Sequence, residues 1–91
     1  MMSMVEPVRV FLLDDHEIVR RGVVSVIDAE PDMEVVGEAG TADEALDVVE
    51  VCNPDVAVLD IRLGDGSGVE VCRDIRSKYP EISCLMLTSF E

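Results

Sequence analysis

Four short apolar runs lie along the chain and are separated by amphipathic segments. The runs cover residues 8–13, 33–36, 56–59 and 82–87. Three of them are nearly continuous, which is typical of strands buried on both faces of a parallel sheet. The pattern therefore predicts four strands of a parallel sheet.

The three segments between the runs have the spacing of amphipathic helices. The first places Val19, Val23 and Ile27 on one face. The second and third each begin with a capping box, in which a hydroxyl residue is followed three positions later by Glu. The two boxes are Thr41 with Glu44 and Ser67 with Glu70. Strands and helices are thus predicted to alternate.

This alternation, with right-handed crossovers, predicts an α/β fold with a doubly wound parallel sheet, which in its flavodoxin-like form has the strand order 2-1-3-4. Residues 1–7 are expected to form an N-terminal tail, and residues 8–91 a single domain. Ligands of such sheets bind beyond the carboxyl ends of the strands. Functional residues are therefore expected where the apolar runs end.

Composition narrows the classes of function. The 91 residues are 48% hydrophobic, and 7 basic and 20 acidic residues give a net charge of −13 with His neutral. This charge repels phosphate backbones and anionic lipids, so direct binding to nucleic acid or a membrane is not expected. No apolar run approaches the roughly 18 residues of a membrane span. Cations are the favoured ligands, and a cytoplasmic location is expected.

Cysteine and histidine usage argues against a zinc centre. Cys52, Cys72 and Cys84 have no CxxC spacing and lie in apolar segments, which is typical of small core residues in a reducing compartment. The single histidine is His16. A mixed Cys and His zinc site is therefore not expected.

Acidic and hydroxyl residues follow three of the apolar runs. Asp14 and Asp15 follow the first run, Asp60 the third and Thr88 the fourth. If the first and third strands are neighbours, three carboxylates meet at one edge of the sheet. Two charges about 4 Å apart repel by roughly 1–4 kcal/mol, so the cluster needs protons or a cation, and Mg²⁺ fits best. The alternative is that Asp14 and Asp15 cap the first helix and that Asp60 opens a turn.

The loop after Asp60 is rich in glycine over residues 62–68. It lacks the Lys and Ser or Thr that complete a P-loop. Its glycines are expected to supply flexible backbone beside Asp60.

These segments together resemble the receiver domain of two-component response regulators. The resemblance covers residues 8–91, and two stretches, DDHE and VVGEA, are similar to the NarL/LuxR (FixJ-type) branch. The segments that carry it are VFLLDDH (10–16), VVGEA (35–39), PDVAVLDIR (54–62), DGSG (65–68) and LTS (87–89).

The resemblance implies specific roles for the residues at the strand ends. Asp60 would accept a phosphoryl group from a sensor histidine kinase, with Thr88 as the switch hydroxyl. Mg²⁺ would be held by Asp15, by Asp60, by the neighbouring Asp14 and by the backbone carbonyl of Arg62. The chain would be a signalling phosphoacceptor and not an enzyme, assisting at most its own phosphorylation and dephosphorylation.

The chain departs from the family pattern in two respects. Gly64 stands where a receiver has a Pro. The family's last βα units, its lysine that pairs with the acceptor aspartate, and the branch's DNA-binding output domain would all lie beyond residue 91. Phosphorylation is therefore expected to be slow, and DNA binding to require the output domain. The run 82–87 is expected to be an exposed edge strand that favours a homodimer.

Two further functions are compatible with the acidic cluster. A Mg²⁺-dependent phosphatase of the haloacid-dehalogenase type also uses an aspartate after a buried strand. That family needs Asp-x-Asp, and here Arg62 occupies the second Asp position. The other alternative is an interaction module whose acidic pocket is never phosphorylated.

Overall fold

Strands and helices alternate as predicted in the computed structural model, which describes residues 6–63 and 66–87, with residues 66 and 67 described by their backbone alone. The second strand extends three residues past its apolar run. In chain order the elements are β1 (Val8–Leu13), α1 (Glu17–Asp28), β2 (Met33–Ala39), α2 (Ala42–Cys52), β3 (Val56–Asp60), β4 (Arg62–Leu63), β5 (Gly66–Ser67), α3 (Gly68–Lys78) and β6 (Ser83–Leu87).

The long strands form a parallel sheet in the order β2-β1-β3-β6. Because β6 is the fourth long strand, the predicted α/β fold and strand order are confirmed. Leu13 at the end of β1 lies between Ala39 of β2 and Leu59 of β3. Asp60 at the end of β3 lies opposite Leu87 of β6. The carboxyl ends of the strands therefore meet at one edge of the sheet.

The two faces of the sheet bury separate apolar clusters. The strands contribute alternate residues to each cluster, so that β1 and β3 are covered on both faces as their continuous apolar runs predict. The larger cluster joins β1 and β3 to α2 and α3 through Phe11, Leu13, Ala57, Leu59, Ala45, Val49, Val71 and Ile75. The smaller one comprises Val10, Leu12 and Val58, with Val23, Val24 and Ile27 of α1 packed against it.

Helix α1 packs on the sheet through Val23 and Ile27, as its sequence predicts, but the buried face differs at one position. Val19, expected on the buried face, is 47% exposed. The residues directed to the sheet are Arg20, Val23, Val24 and Ile27, which are partly buried and have the i, i+3, i+4, i+7 spacing of one helix face. Arg20 thus replaces Val19 in this stripe and reaches the edge where β1 ends.

A short antiparallel hairpin that the sequence does not predict follows β3. In it Arg62 of β4 lies opposite Ser67 of β5. Strands of two residues carry no hydrophobic alternation, so no pattern marks them. Gly64 and Asp65 lie outside the described residues, as does the side chain of Ser67, on which the capping box predicted for α3 depends.

Within the described ranges, no helix is both long enough and apolar enough to cross a membrane.

Candidate functional site

The sheet edge brings together the three carboxylates that the sequence singles out. Asp14 and Asp15 follow β1, and Asp60 ends the adjacent strand β3. One side-chain atom from each of these residues and from His16 lies within 4.8 Å of the others. The parallel pairing of β1 with β3 is what places them side by side. The structure therefore contains an acidic cluster, formed by Asp14, Asp15, His16 and Asp60.

Asp60 is the most deeply buried member of the acidic cluster. It is only 2% exposed, and its Oδ1 accepts a hydrogen bond of 3.0 Å from the backbone N–H of Arg62. Its Oδ2 is buried and has no hydrogen-bond partner among the described residues. Leaving a buried charged oxygen unpaired costs about 1–3 kcal/mol or more. Such an atom is suited to receive a ligand.

Asp14 shapes the turn between β1 and α1. It is 5% exposed, and its Oδ1 accepts a 2.8 Å hydrogen bond from the backbone N–H of His16. The N-cap of α1 is His16, whose side chain makes no capping hydrogen bond. His16, and not Asp14 or Asp15, therefore occupies the N-cap position of α1, and Asp14 instead bonds the backbone N–H of this N-cap residue.

His16 belongs to the cluster although the sequence analysis assigns it no role. Its Nδ1 lies 3.1 Å from Oδ1 of Asp15 and 3.5 Å from Oδ1 of Asp14. The imidazole is half exposed, and Asp15 is more exposed than Asp14. The signal was available in the sequence, since His16 directly follows the two aspartates.

Arg20 fixes the end of β1 from the opposite side. Its Nη1 donates a 2.6 Å hydrogen bond to the backbone carbonyl of Asp14, and its Nε pairs with Oε1 of Glu38 on β2 at 3.2 Å. One guanidinium thereby links α1, β1 and β2 next to the acidic cluster. The sequence gives no sign of this role because Glu38 lies on a different strand.

Gly68, the first residue of α3, lies directly against the backbone at the end of β3. A Cβ atom at this position would lie 1.9 Å from the backbone oxygen of Asp60, so a side chain cannot be accommodated without moving backbone. The glycine-rich pattern of residues 62–68 predicts flexible backbone. At Gly68 the requirement is instead the close approach of α3 to the end of β3.

The remaining site residues are placed only in part. Arg62 contributes its backbone N–H to Asp60, and its side chain is exposed. Thr88 lies outside the described residues, directly after Leu87, which is opposite Asp60 in the sheet.

The donor set of the acidic cluster suits a hard divalent cation. Three carboxylates within a few ångströms repel one another and expose oxygen atoms, which are the ligands that Mg²⁺ prefers. Magnesium needs few protein ligands because it keeps several waters. Oδ2 of Asp60, which has no hydrogen-bond partner within the described ranges, is suited to ligate such a cation.

The chain is similar in sequence and structure to known bacterial regulators. Residues 10–91 match the response regulator receiver domain. The "DNA-binding transcriptional activator DevR/DosR" of Mycobacterium tuberculosis is 57% identical over 83 residues, which are 91% of this chain and 38% of that protein. The chain thus spans less than half the length of this relative.

Solved structures show the same fold at lower sequence identity. A LuxR-family two-component response regulator from Aurantimonas sp. SI85-9A1 has a TM-score of 0.86 and 35% identity, over 94% of this chain and 61% of that one. The signal receiver domain of the putative response regulator NarL from Mycobacterium tuberculosis has a TM-score of 0.85 and 35% identity, over 94% of this chain and 69% of that one.

Proposed function

The chain belongs to the response regulator receiver domain family, and we propose that Asp60 is its phosphoacceptor. The proposal depends on the hydrogen bonding of the two oxygens of the Asp60 carboxylate. One oxygen is held by the N–H of Arg62, whereas the buried Oδ2 has no partner among the described residues. The carboxylate is thus oriented by one oxygen and can attack a phosphorus atom with the other.

As a receiver domain of a two-component response regulator, the chain is a signalling module. In the proposed reaction, Oδ2 of Asp60 forms a bond to phosphorus while the bond between phosphorus and the donor's leaving group breaks. The donor is a phosphohistidine of a sensor kinase or a small acyl phosphate. Most of the assistance that phosphoryl transfer needs is positioning and charge neutralisation, so the chain is proposed to act as phosphoacceptor and not as a turnover enzyme.

The acidic cluster is proposed to hold the Mg²⁺ for this step. Asp15 and Asp60 supply carboxylate oxygens, Asp14 lies beside them, and the backbone carbonyl of Arg62 is the proposed fourth contributor. When bound, the ion neutralises the negative charge that the carboxylates and the phosphoryl oxygens would otherwise concentrate there. Thr88, one residue after the partner of Asp60 in the sheet, is proposed to supply a hydroxyl to the phosphoryl oxygens.

The partners follow from the same proposal. DevR/DosR is a DNA-binding activator by name, and we infer that this chain passes its signal to a DNA-binding output domain and does not contact DNA itself. Its net charge of −13 agrees with this division, since it repels a phosphate backbone. A sensor histidine kinase is the proposed source of phosphoryl groups, in the cytoplasm, and a second copy of the chain the proposed dimer partner.

Labelling with acetyl phosphate tests the assignment of Asp60. The wild-type chain, incubated with acetyl phosphate and Mg²⁺, should gain one phosphoryl group that hydroxylamine releases, as measured by intact mass. Asp60→Asn should not be labelled, because an amide cannot form the acyl phosphate. Removing Mg²⁺ with EDTA should also suppress labelling.

Asp47→Asn serves as the matched control, because it makes the same chemical change at an exposed position on α2. It should be labelled like the wild type. Equal labelling of Asp60→Asn and wild type would refute the assignment. A folded wild-type chain that gains no phosphoryl group would instead favour the interaction module that is never phosphorylated.

A further inference from the structure

Two of the three cysteines lie against each other outside the acidic cluster. Cys72 is on α3 and Cys84 is on β6, two elements that pack together, and the two thiols are near enough to affect each other's ionisation. Both residues are partly buried against the larger apolar cluster. Cys52 is at the end of α2, where its Sγ faces Gly37 of β2. The chain therefore contains one adjacent thiol pair and one separate thiol.

The pair is accessible from solvent. Cys72 lines a shallow surface depression with Val69, Arg73 and Arg76. Cys84 lines another depression that shares Arg76. Both cysteines therefore border solvent and are only partly buried.

The two thiols are not equivalent as reactants. Desolvation, followed by the hydrogen bond and the charge interaction with Cys72, raises the pKa of Cys84 to about 11, against the opposing effect of Arg76. Cys84 therefore keeps its proton at neutral pH. Cys84 is therefore a poor nucleophile at neutral pH, and the reaction proposed below begins at Cys72.

We propose that Cys72 and Cys84 are an oxidative modification site, at which a peroxide converts the adjacent thiols into an intramolecular disulfide that ties α3 to β6. In the first step the Cys72 thiolate attacks a peroxide oxygen, the O–O bond breaks, and Cys72 becomes a sulfenic acid while the leaving oxygen takes a proton. In the second step the Cys84 sulfur attacks the Cys72 sulfur as its proton departs, and water is released. Overall, two thiols and one peroxide give one disulfide. Each peroxide oxygen is reduced and ends in water or in an alcohol.

The disulfide has a mechanical consequence for the fold. The two sulfur atoms must approach to about 2.05 Å, and the packing of α3 against β6 is what brings the two residues together. The cross-link closes residues 72–84 into a loop and restricts the unfolded chain. It also restrains the position of β6, whose last residue, Leu87, lies opposite Asp60. A reducing compartment keeps the pair as thiols, so the cross-link would form on exposure to oxidant.

Peptide mapping tests the proposal directly. After treatment of the 91-residue chain with hydrogen peroxide and alkylation of remaining thiols, trypsin should yield residues 63–73 and 79–91 as one disulfide-linked species that a reductant separates. The intact mass should show one alkylated cysteine instead of three. The melting temperature should rise by roughly 5–10 °C and return on reduction.

Cys52→Ser is the matched control and should form the same linked species with no alkylatable thiol left. Cys72→Ser and Cys84→Ser should each lose it. The wild-type map is decisive even if a variant folds poorly. Three alkylated cysteines after oxidation, a link that includes Cys52, or a link found only between two chains at every dilution would overturn the proposal.

Discussion

At Gly68 the backbone of α3 comes so close to the end of β3 that even a methyl group is excluded. A Cβ atom there would lie 1.9 Å from the carbonyl oxygen of Asp60 and 3.2 Å from Cα of Ile61. Gly68→Ala must therefore displace backbone beside the proposed phosphoacceptor. We expect a loss of about 1–3 kcal/mol in the free energy of unfolding, or more, measured by urea denaturation.

Gly22 provides the control for this substitution. It lies exposed within α1, and nothing stands within 4 Å of a Cβ built on it. Gly22→Ala should leave stability unchanged or raise it by up to about 1 kcal/mol, because alanine favours the helix. Equal stabilities of the two variants would show that the backbone at Gly68 gives way freely.

The contrast between predicted and unpredicted site residues has a simple cause. Asp14, Asp15 and Asp60 could be predicted because each follows an apolar run directly, so that local pattern and parallel topology together place them. Arg20 and Gly68 act through partners that are distant in sequence, on β2 and at the end of β3. No local pattern records such a contact. Their roles required the structure.

Among the elements, α2 has a side-chain cap that can be tested separately from the site. Oγ1 of Thr41 accepts a 3.2 Å hydrogen bond from the N–H of Glu44, as the capping box predicts. Thr41→Ala should lower the free energy of unfolding by about 1 kcal/mol, because it leaves this N–H unpaired. Thermal or urea denaturation provides the measurement.

Thr41→Ser separates the hydroxyl from the methyl group, since serine keeps only the former. It should retain most of the wild-type stability. If the serine variant is as unstable as the alanine variant, the contribution of Thr41 comes from packing and not from the cap.

The return hydrogen bond of the capping box, in which the Glu side chain accepts from backbone, differs from expectation. Oε1 of Glu44 accepts from the N–H of Gly40 at 3.3 Å, one residue before the cap.

The strands and helices could be predicted from the sequence where the pattern of apolar side chains defines them. The four apolar runs located all four long strands, but β2 was predicted too short, since Gly37 and Glu38 interrupt its apolar run. The β4–β5 hairpin has two residues in each strand and is defined by backbone pairing. The pattern of hydrophobic side chains therefore does not predict it. In α1, Arg20 and not Val19 belongs to the face directed to the sheet. Its guanidinium binds the carbonyl of Asp14 and the carboxylate of Glu38 at the sheet edge.

For the whole molecule, the alternation of strands and helices predicts a doubly wound parallel sheet, and the strand order is that of its flavodoxin-like form. This order leaves β6 at one edge of the described sheet. Cys84 and Met86 of β6 pack against the larger cluster. Leu85 and Leu87 point to the other face, where they are 55% and 38% exposed. An apolar edge strand is a template for pairing with another chain, and the net charge of −13 opposes such contact.

These opposing effects predict salt-dependent self-association of the 91-residue chain through β6. Sedimentation equilibrium should find dimers or larger species that increase as salt screens the repulsion. Leu85→Glu should reduce association, because it places a charge on the exposed face of the strand. Val51→Glu, at an 87% exposed position on α2, adds the same charge elsewhere and should have a much smaller effect. A chain that stays monomeric at high concentration and high salt would refute the prediction, and equal effects of the two variants would show that net charge, and not the edge of β6, governs association.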